Sequence, residues 1–343
     1  MKCGMGIAEC GLPSGETMMV PEMEKHSPFP IPHSTFPVHR PVMVKEVIEF
    51  LALRPGQTVV DCTVGTGGHS LAILPHLMPF PPSAGPPAFG GVAGRLIAID
   101  RDAQALALAQ TCLTEFSPHV RFVHENFWHL PQILKRLGVT AVNGLVADLG
   151  LSSVHVEVPE RGFSFLKEGP LDMRMDQRQT TTAASLIQRL SEQELARLLY
   201  VYGEERWSRR IARRIATARA QAPIRTTTQL ARLVAEAIPA KVHSRRLHVA
   251  TRTFLALRIT VNEELAALEA LLQALPDILA PGGRAVVLAF HSLEDRLVKR
   301  AFQQGAKTGV FRLLTKRPLR PSAQELAENP RSRSSRLRAV ERL

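Results

Sequence analysis

Residues 57–70, QTVVDCTVGTGGHS, constrain the fold more than any other stretch of the sequence. An apolar, β-branched run ends in Asp61, and a glycine cluster at Gly65, Gly67 and Gly68 follows before a predicted helix begins. Strand, glycine turn and helix in this order bring backbone N–H groups and a helix N-terminus against a ligand. The stretch therefore predicts a ligand site at the turn, with an ordinary glycine-rich connection as the alternative.

The spacing of these glycines separates two classes of nucleoside-containing cofactor. A dinucleotide fingerprint reads G-x-G-x-x-G, and its last glycine lets the helix pack closely on the strand. Here the same register from Gly65 reaches Ser70. The chain instead reads D-x-x-x-G-x-G-G from Asp61, which resembles the first motif of S-adenosylmethionine (AdoMet) methyltransferases. In those enzymes the glycines let the methionine part of the ligand lie on the backbone.

Three further predicted strands end in an acidic or aromatic residue. Leu96–Ile99 is a buried strand with Asp100 at its carboxyl end, a third strand ends near Phe127, and a fourth ends at Asp148. Strands that alternate with helices form a parallel, doubly wound sheet, whose ligand lies at the carboxyl ends of the strands. An acid after the second strand accepts hydrogen bonds from ribose hydroxyls, although an acid that merely ends a strand is the alternative. The usual interval from the glycines to this acid is about 20 residues, and the proline-rich loop 75–94 accounts for the longer interval here.

The alternation of strands and helices also divides the chain. Residues 1–37, which mix glycine, proline, methionine and charges, are predicted to be a flexible extension. Residues 38–155 form the first part of the sheet domain, 156–254 a helical insertion that recognises the substrate, and 255–343 the second part of the sheet domain. The basic tail of this last part could supply two edge strands.

The charge balance favours a polyanionic partner. The chain carries 43 Lys and Arg residues against 31 Asp and Glu residues, a formal net charge of +12, which favours nucleic acid over a merely solubilising surface. One predicted helix has Trp207, Ile211 and Ile215 on an apolar face. Its other side carries Arg206, Arg209, Arg210, Arg213 and Arg214. These arginines either track phosphates or form a solvated basic face.

Cysteine usage and hydropathy argue against other classes of protein. The four cysteines include no C-x-x-C pair, so neither a zinc site nor a disulfide framework is indicated. No apolar run is as long as a membrane span, and the first residues lack the basic start and long apolar centre of a signal peptide. We therefore expect a cytoplasmic protein. If the cofactor is AdoMet, no metal is needed either, because the sulfonium already activates the methyl group.

Ten motifs follow one another along the chain: HRPVMVKEV, GTGGHS, AIDRD, DLGLSS, ERGFSF, GPLDMRMD, YGEER, ATRTF, FHSLEDR and ENPRSRSSRLR. Over residues 39–343 they resemble the MraW/RsmH family of bacterial and organellar methyltransferases, which modify the N4 amino group of a decoding-site cytidine in 16S rRNA. The resemblance implies a class I AdoMet-dependent methyltransferase, an α/β, Rossmann-like, doubly wound and mostly parallel sheet with an inserted helical domain. It also implies S-adenosyl-L-methionine as cofactor and ribosomal RNA, within the assembled or assembling small subunit, as partner.

The resemblance further implies contacts with the cofactor. The glycine turn would contact AdoMet, one acid would hold the ribose, an aromatic residue would lie against the adenine, and a second acid would lie near the sulfonium. In that order these residues are Gly67, Gly68 and His69, then Asp100, Phe127 and Asp148. The family commonly has Pro-Gln after DLGxSS, whereas this chain has Val154-His155, and His155 still offers a hydrogen-bonding nitrogen to the cofactor. The usual HPATRTFQ is here HVATRTFL, with Val249 and Leu255 as departures.

The reaction so implied sets requirements on the site. A cytosine N4 amine is a weak nucleophile because its lone pair is delocalised into the ring. Positioning supplies most of the acceleration, and an acceptor that polarises the amine supplies more. Candidate catalytic residues are Asp148 and Ser152, with Asp172, Arg174 and His291 as partners on the substrate side, where Arg174 also contacts RNA. Asp172 could equally be the structural salt-bridge partner of Arg174.

The target base must leave its stack to reach a buried methyl donor. Phe163 and Phe165 in ERGFSF are candidate stacking or wedge residues, and ordinary core positions are the alternative. Two other functions remain open on the residues alone: an AdoMet-dependent enzyme that acts on DNA or another amine, and an assembly factor that binds RNA with an idle catalytic site. The intact glycine turn, Asp100 and Asp148 argue against the idle site.

Overall fold

A seven-stranded sheet lies at the centre of the computed structural model, which describes residues 40–79, 93–243 and 248–343 together with Met1. The strands are β1 Thr58–Asp61, β2 Arg95–Asp100, β3 Val120–His124, β4 Val142–Asp148, β5 Leu279–Ala289, β6 Phe311–Leu313 and β7 Arg336–Arg342. Their order in the sheet is β3-β2-β1-β4-β5-β7-β6. Strands β1 to β5 pair in parallel, and β7 runs antiparallel between β5 and β6. The mostly parallel, doubly wound sheet predicted from the sequence is confirmed.

Helices cover both faces of this sheet, and five of the described helices, the sixth to the tenth, form a separate helical part. They are α1 Val44–Leu51, α2 Gly68–Leu77, α3 Ala103–Cys112, α4 Leu130–Arg136, α5 Ser153–Glu157, α6 Ala183–Arg189, α7 Glu192–Gly203, α8 Ser208–Gln221, α9 Thr227–Ala237, α10 Thr251–Val261, α11 Glu264–Ile278, α12 Ser292–Lys307 and α13 Ala323–Glu328. Successive strand residues point to opposite faces, so Val59 packs with Leu96 under α1 to α3, whereas Val60 packs with Ile97 under α4, α11 and α12. These two cores hold the strand ends, and therefore the site, in place.

The chain between β4 and β5 is helical, as the loss of strand–helix alternation predicts. Helices α6 to α10 bury a third core, which includes Ile211 and Ile215 from the apolar face of α8. Ala256 and Val261 of α10 belong to the same core because α10 packs against α7, so the helical part continues beyond the predicted boundary at 254. Residues Pro37–Leu343 form one compact unit, and their division into domains stays a prediction.

The tail supplies two strands, as predicted, but only β6 lies at the edge, since β7 is paired on both sides. The predicted flexible extension 1–37 lies outside the described residues apart from Met1, and so do residues 80–92 of the proline-rich loop. In the part of the chain that the structure describes, no helix is both long enough and apolar enough to cross a membrane.

Candidate active site

A cavity of about 380 Å³ opens at the carboxyl ends of the central strands. Its walls include Gly65 of the glycine turn after β1, Asp100 at the end of β2, Phe127 after β3, Asp148 at the end of β4 and Ser152 after it. Carboxyl ends of parallel strands meet at one edge of a sheet, which is why residues so distant in sequence share one cavity. The volume is within the range of small-molecule and cofactor sites.

The glycine turn needs its glycines for two different reasons. Gly67 has a φ of +95°, a left-handed conformation that side chains with a Cβ rarely adopt, and a Cβ here would lie 3.4 Å from the Cys112 side chain behind the turn. A Cβ on Gly68 would lie 2.9 Å from the ring of Pro41. Gly67 thus shapes the turn from behind, Gly68 allows it to lie against Pro41, which also lines the cavity, and Gly65 faces the cavity.

Asp100 joins the end of β2 to the glycine turn. Its Oδ2 accepts a hydrogen bond of 2.9 Å from the backbone N–H of Gly65, and its Oδ1 accepts one of 2.9 Å from the N–H of Asp102. Burial raises the pKa of Asp100 above its ordinary value, although these hydrogen bonds and nearby His155 oppose the rise. Each carboxylate oxygen retains a second lone pair, so ribose hydroxyls could still donate to Asp100.

Phe127 provides an apolar wall for a planar group. The ring is 7% exposed, and the Arg101 guanidinium lies over it at 5.7 Å from the centroid. Arg101 is itself fixed by donating to the backbone carbonyl of Asn262 at 2.6 Å and to Oδ1 of Asn126 at 3.1 Å. Leu268 of α11 lines the same cavity. An aromatic and an aliphatic side chain in one cavity suit the adenine of a nucleoside.

Asp148 is held at the end of β4 beside His69. Its backbone N–H donates to Oγ1 of Thr63 at 2.7 Å. His69 Nε2 lies 2.9 Å from the carbonyl oxygen of Val42, to which it donates, and His69 Nδ1 lies 3.6 Å from Asp148 Oδ2. Asp148 Oδ1 is buried and has no hydrogen-bond partner among the described residues. A buried acceptor without a donor is the kind of group that a substrate amine would satisfy.

The environment of Asp148 raises the pKa of its carboxyl group toward neutrality. Burial raises the pKa of Asp148 to about 6, His69 works against this rise, and the negative charges of Asp61 and Glu294 add to it. The Asp61 carboxylate is itself buried and accepts from Ser70 Oγ at 2.7 Å. A carboxyl group with a pKa near the working pH can exchange a proton or change its charge during a reaction.

Ser152 and His155 form a second polar group on the cavity wall. The backbone N–H of Ser152 donates to His155 Nδ1 at 3.2 Å, and Ser152 Oγ also lies 3.2 Å from that nitrogen. His155 Nε2 lies 2.7 Å from Asp102 Oδ2, and Arg161 donates to the same oxygen at 2.7 Å. Both ring nitrogens of His155 therefore have protein partners, and its predicted contact with the cofactor stays a prediction.

Asp102 and Arg161 were not singled out by the sequence interpretation, although they lie in the AIDRD and ERGFSF motifs. The motifs gave no indication that the two side chains meet, because they are 59 residues apart. Asn262 was also missed. Its side chain donates to the Met173 carbonyl at 2.7 Å and accepts from the Met175 N–H at 2.8 Å, which fixes the LDMRMD loop against the end of α10.

Asp172 and Arg174 pair with each other within the LDMRMD loop. Arg174 donates from Nε to Asp172 Oδ1 at 2.8 Å and from NH2 to Oδ2 at 2.7 Å, and it also donates to the Gln179 carbonyl at 2.6 Å. Neither residue belongs to the described lining of the cavity. This geometry is that of a structural ion pair, so the predicted roles of Asp172 in catalysis and of Arg174 in RNA binding stay predictions.

His291 caps the N-terminus of α12, where its Nδ1 accepts from the Glu294 N–H. Glu294 lines the cavity, but His291 is not in its described lining. Glu264, His291 and Glu294 have ligand-type atoms within 4.8 Å of one another, a spacing that a metal ion could bridge. Arg258 already donates twice to Glu264, at 2.8 and 2.7 Å, and the N–H groups of Phe290 and His291 donate to Glu294. The carboxylates of Glu264 and Glu294 therefore already have donors, while His291 Nε2 is buried without a hydrogen bond to any described residue and lies 3.1 Å from Glu294 Oε1.

The two phenylalanines of ERGFSF lie in the third core or at its edge. Phe163 is 8% exposed and its ring centroid is 4.8 Å from that of His155. The ring centroid of Phe165 lies 4.7 Å from that of His248 and 4.8 Å from that of Phe254. These contacts favour the core alternative for Phe163, while the stacking role of Phe165 stays a prediction.

The arginines of α8 lie away from the described lining of the cavity. Arg209, Arg210 and Arg213 are exposed. Arg210 lies over the Trp207 ring at 5.4 Å from its centroid, and Arg213 lies 3.5 Å from Glu192 in an exposed ion pair. Such surface pairs contribute little, so these guanidinium groups remain available to a polyanion.

In a comparison with known proteins, the described sheet and helical part both fall within the match to one family. The model of the MraW methylase family matches residues 37–343. A protein named Ribosomal RNA small subunit methyltransferase H from Pelobacter propionicus is 46% identical over 320 residues, which cover 89% of this chain and 98% of that protein. The protein of the same name from Symbiobacterium thermophilum is 44% identical over 320 residues, which cover 89% of this chain and 96% of that protein. The crystal structure of TrmN from Thermus thermophilus aligns with a TM-score of 0.41 at 14% identity, covering 88% of this chain and 48% of that one.

Proposed function

Because the chain belongs to the MraW methylase family, we propose that it transfers a methyl group to the N4 amino group of a decoding-site cytidine in 16S rRNA. S-adenosyl-L-methionine is the methyl donor, and the small ribosomal subunit, assembled or assembling in the cytoplasm, is the partner. The observation that carries the proposal is Asp148, a half-buried carboxyl group with a pKa of about 6, in one cavity with the glycine turn, Asp100 and Phe127.

The cavity fits the cofactor part by part. Phe127 and Leu268 offer apolar contact to an adenine, and Asp100 offers carboxylate oxygens to ribose hydroxyls. Gly65 and His69 line the section where the methionine part would lie on the backbone. The bound sulfonium supplies a methyl group that is already activated for transfer. The residues of the chain then have to bind and orient the two substrates and control charge and proton transfer in the reaction.

Asp148 is placed to act on the amine. Its unpartnered Oδ1 would accept an N–H of the substrate, which turns the amine lone pair toward the methyl group. In its ionised form the carboxylate would also stabilise the positive charge that develops on the nitrogen as the new bond forms. Burial strengthens this interaction, because the effective dielectric constant is lower than in water.

RNA binding is assigned to the helical part. The net charge of +12 and the exposed Arg209, Arg210 and Arg213 of α8 support a phosphate-tracking surface. Replacing these three arginines with alanine should weaken RNA binding and reduce the slope of log affinity against log salt concentration by about 2, the value for three contacts to single-stranded RNA. AdoMet affinity, measured by calorimetry, should not change.

A matched control is the triple alanine variant of Arg54, Lys135 and Arg136, which are exposed elsewhere. This control should retain the salt dependence of the wild-type protein. An unaltered salt slope in the α8 variant would instead assign its arginines to a solvated face.

Nucleoside mass mapping tests the proposed reaction directly. Small subunits from a deletion strain are incubated with the purified protein and labelled AdoMet. One part of the RNA is digested to oligonucleotides to locate the label, and another part is digested to nucleosides to identify the modified base. We expect label in N4-methylcytidine at a single decoding-site position. Transfer to DNA or to another amine in a parallel reaction would replace the proposed substrate, and AdoMet binding without any transfer would indicate an assembly factor with an idle site.

A further inference from the structure

A second pocket, of about 220 Å³, lies in the helical part. Its polar and aromatic walls come from the connection between α7 and α8 and from the start of α10, and they include Glu205, Arg206, Trp207, His248, Val249 and Arg252. None of these residues belongs to the described lining of the cavity at the strand ends. Two motifs of the sequence, YGEER and ATRTF, therefore meet at a pocket that the methyl-transfer site does not use.

Trp207 supplies an aromatic wall that is held in place. Its backbone N–H donates to Oε1 of Glu205 at 2.8 Å, and its side chain packs against the third core. The Arg210 guanidinium lies over the ring at 5.4 Å from the centroid. RNA-binding proteins stack unstacked bases on aromatic side chains of this kind, and any base can stack because every base has a π-face.

Glu205 gives the pocket a buried acceptor. The residue is 4% exposed, and its Oε2 has no hydrogen-bond partner among the described residues. A carboxylate accepts hydrogen bonds and donates none, so a ligand that fills the pocket must bring a donor. The amino groups of adenine, cytosine and guanine are such donors. The single N–H of a uracil ring lies between two carbonyl oxygens, which a carboxylate repels, so Glu205 disfavours uracil.

Arginines at the rim suit the phosphates on either side of such a base. Arg206 and Arg252 line the pocket and are exposed. In the part of the chain that the structure describes, Arg206 makes no hydrogen bond or ion pair, and Arg252 donates to the backbone carbonyl of Glu204 at 3.1 Å. Two guanidinium groups against the one carboxylate of Glu205 make the pocket cationic, which favours a nucleotide over a neutral ligand.

Shared supports connect this pocket with the methyl-transfer cavity. The Phe165 ring centroid lies 4.7 Å from that of His248, and Phe163 lies 4.8 Å from His155, which lines the cavity. On the other side, the Glu204 carboxylate accepts two hydrogen bonds of 2.8 Å from side chains of α12, whose first turn also lines the cavity. One RNA strand bound at both places is therefore the arrangement that the structure favours.

We propose that this pocket is a subsite for a second unstacked base of the substrate RNA, close in the chain to the target cytidine, an inference that rests on the proposed function. The base stacks on Trp207, its amino group donates to Glu205, and the neighbouring phosphates bind Arg206 and Arg252. An apolar peptide is a poorer occupant, because it would cover these charges without pairing them. The subsite adds affinity and base preference and takes no part in the chemical step.

Tryptophan fluorescence tests the stacking directly, because the chain has only two tryptophans. In the full-length Trp128→Phe variant, Trp207 is the sole tryptophan, and a base stacked on it should quench its emission. Short single-stranded oligomers of adenylate and of cytidylate should quench at concentrations at least about fivefold lower than the uridylate oligomer. Adding Glu205→Gln keeps an acceptor for the Trp207 N–H and adds a donor, so quenching should remain while most of this preference is lost.

A second assay uses small subunits from the deletion strain. Trp207→Ala should raise the subunit concentration that gives the half-maximal single-turnover rate at least about fivefold, while the rate at saturation and the AdoMet affinity stay unchanged. Trp207→Phe retains a stacking ring and should restore most of this loss. Tyr200→Ala is the matched control, since Tyr200 is an aromatic residue 66% exposed on α7 outside the described lining of the pocket, and it should match the wild-type protein.

Three results would overturn the subsite. Absence of quenching would leave Trp207 with a structural role, and equal quenching by all three oligomers, unaltered by Glu205→Gln, would make the pocket part of a general cationic surface. A Trp207→Ala variant that is slow even at saturating subunits, with Trp207→Phe equally slow, would indicate a structural defect. The two proposals fail separately: methylation of small subunits without quenching removes only the subsite, whereas quenching with the base preference but no methylation by the wild-type protein removes the proposed function.

Discussion

Replacing Asp148 with asparagine separates the charge of this residue from its shape. Asparagine has nearly the same size and retains one acceptor oxygen, while it removes the negative charge. The backbone N–H of Asp148 donates to Thr63 Oγ1 independently of the side chain, so the end of β4 should keep its position. We therefore expect a folded variant that binds AdoMet and RNA and differs in the reaction itself.

The expected loss of activity follows from the role of the charge. In the proposed mechanism the carboxylate stabilises a positive charge that exists only as the amine reacts, and the loss of such a group typically lowers a rate by about 100-fold or more. Single-turnover assays with radiolabelled AdoMet at saturating concentration measure the chemical step apart from cofactor binding. The control is Asp277→Asn, which changes an exposed aspartate on α11 and should leave the rate unchanged.

The pH dependence gives a second measure of the same group. The pKa of Asp148 is raised to about 6, so the reactive carboxylate is lost as the pH falls through 6. The wild-type rate should fall on this acid side, and the contribution of Asp148 to that fall should be missing in the asparagine variant. A profile identical in shape for both proteins would contradict the assignment.

Stability should change in the opposite sense to activity. A carboxyl group whose pKa is raised from 3.8 to about 6 on folding contributes stability that is present below pH 3.8 and is lost as the pH rises through 6. The difference corresponds to about 3 kcal/mol above pH 6. Asp148→Asn should therefore raise the free energy of unfolding by about 3 kcal/mol at pH 8 and by much less at pH 4, as measured by urea unfolding.

Near-normal methyl transfer by Asp148→Asn would refute the proposed role of this carboxylate. Ser152, Asp172 and His291 would then be the remaining candidates.

Three further substitutions test the cofactor site and the loop beside it. Asp100→Ala should weaken AdoMet binding by about 1.5–3 kcal/mol, the scale of hydrogen bonds to a charged group, and wild-type affinity in calorimetry would remove the ribose assignment. Gly67→Val should abolish AdoMet binding, because a β-branched residue cannot adopt a φ of +95° without strain, and retained binding with an unchanged circular dichroism spectrum would place the site elsewhere. Asn262→Ala should lower the free energy of unfolding by about 3 kcal/mol, because the Met173 carbonyl and the Met175 N–H lose their partner, and an unchanged urea midpoint would show that the loop is held by other contacts.

The sequence predicts the part of the site that depends on strand ends. Asp100, Phe127 and Asp148 each follow a short apolar run, and the topology of a parallel sheet brings such positions together without any knowledge of side-chain contacts. The glycine turn is predictable for the same reason, since its backbone conformation is a local property. The physical constraint at Gly67 is more specific than the pattern suggests, because a Cβ would meet Cys112 behind the turn and not the cavity.

Contacts between distant segments were not predictable. His155 meets Asp102 across 53 residues, and Asn262 meets Met175 across 87 residues. No periodicity links such pairs, and only the packing of the helical part against the sheet sets their distance. The Asp172–Arg174 pair is different, because the sequence allowed both a catalytic and a structural role for Asp172. Only the bidentate geometry of the pair favours the structural role.

The position of the helical part explains how RNA binding and methyl transfer could be connected. This part leaves the sheet after β4, where Ser152 and His155 line the cavity, and it returns through α10 and α11, where Arg258 and Leu268 line the same cavity. Asn262 lies between α10 and α11 and holds the LDMRMD loop. Both ends of the helical part, which we propose to bind RNA, are therefore walls of the cavity. RNA that shifts α8 relative to the sheet would act on these walls directly, so we expect RNA and AdoMet to influence each other's affinity, and by linkage to the same extent in both directions.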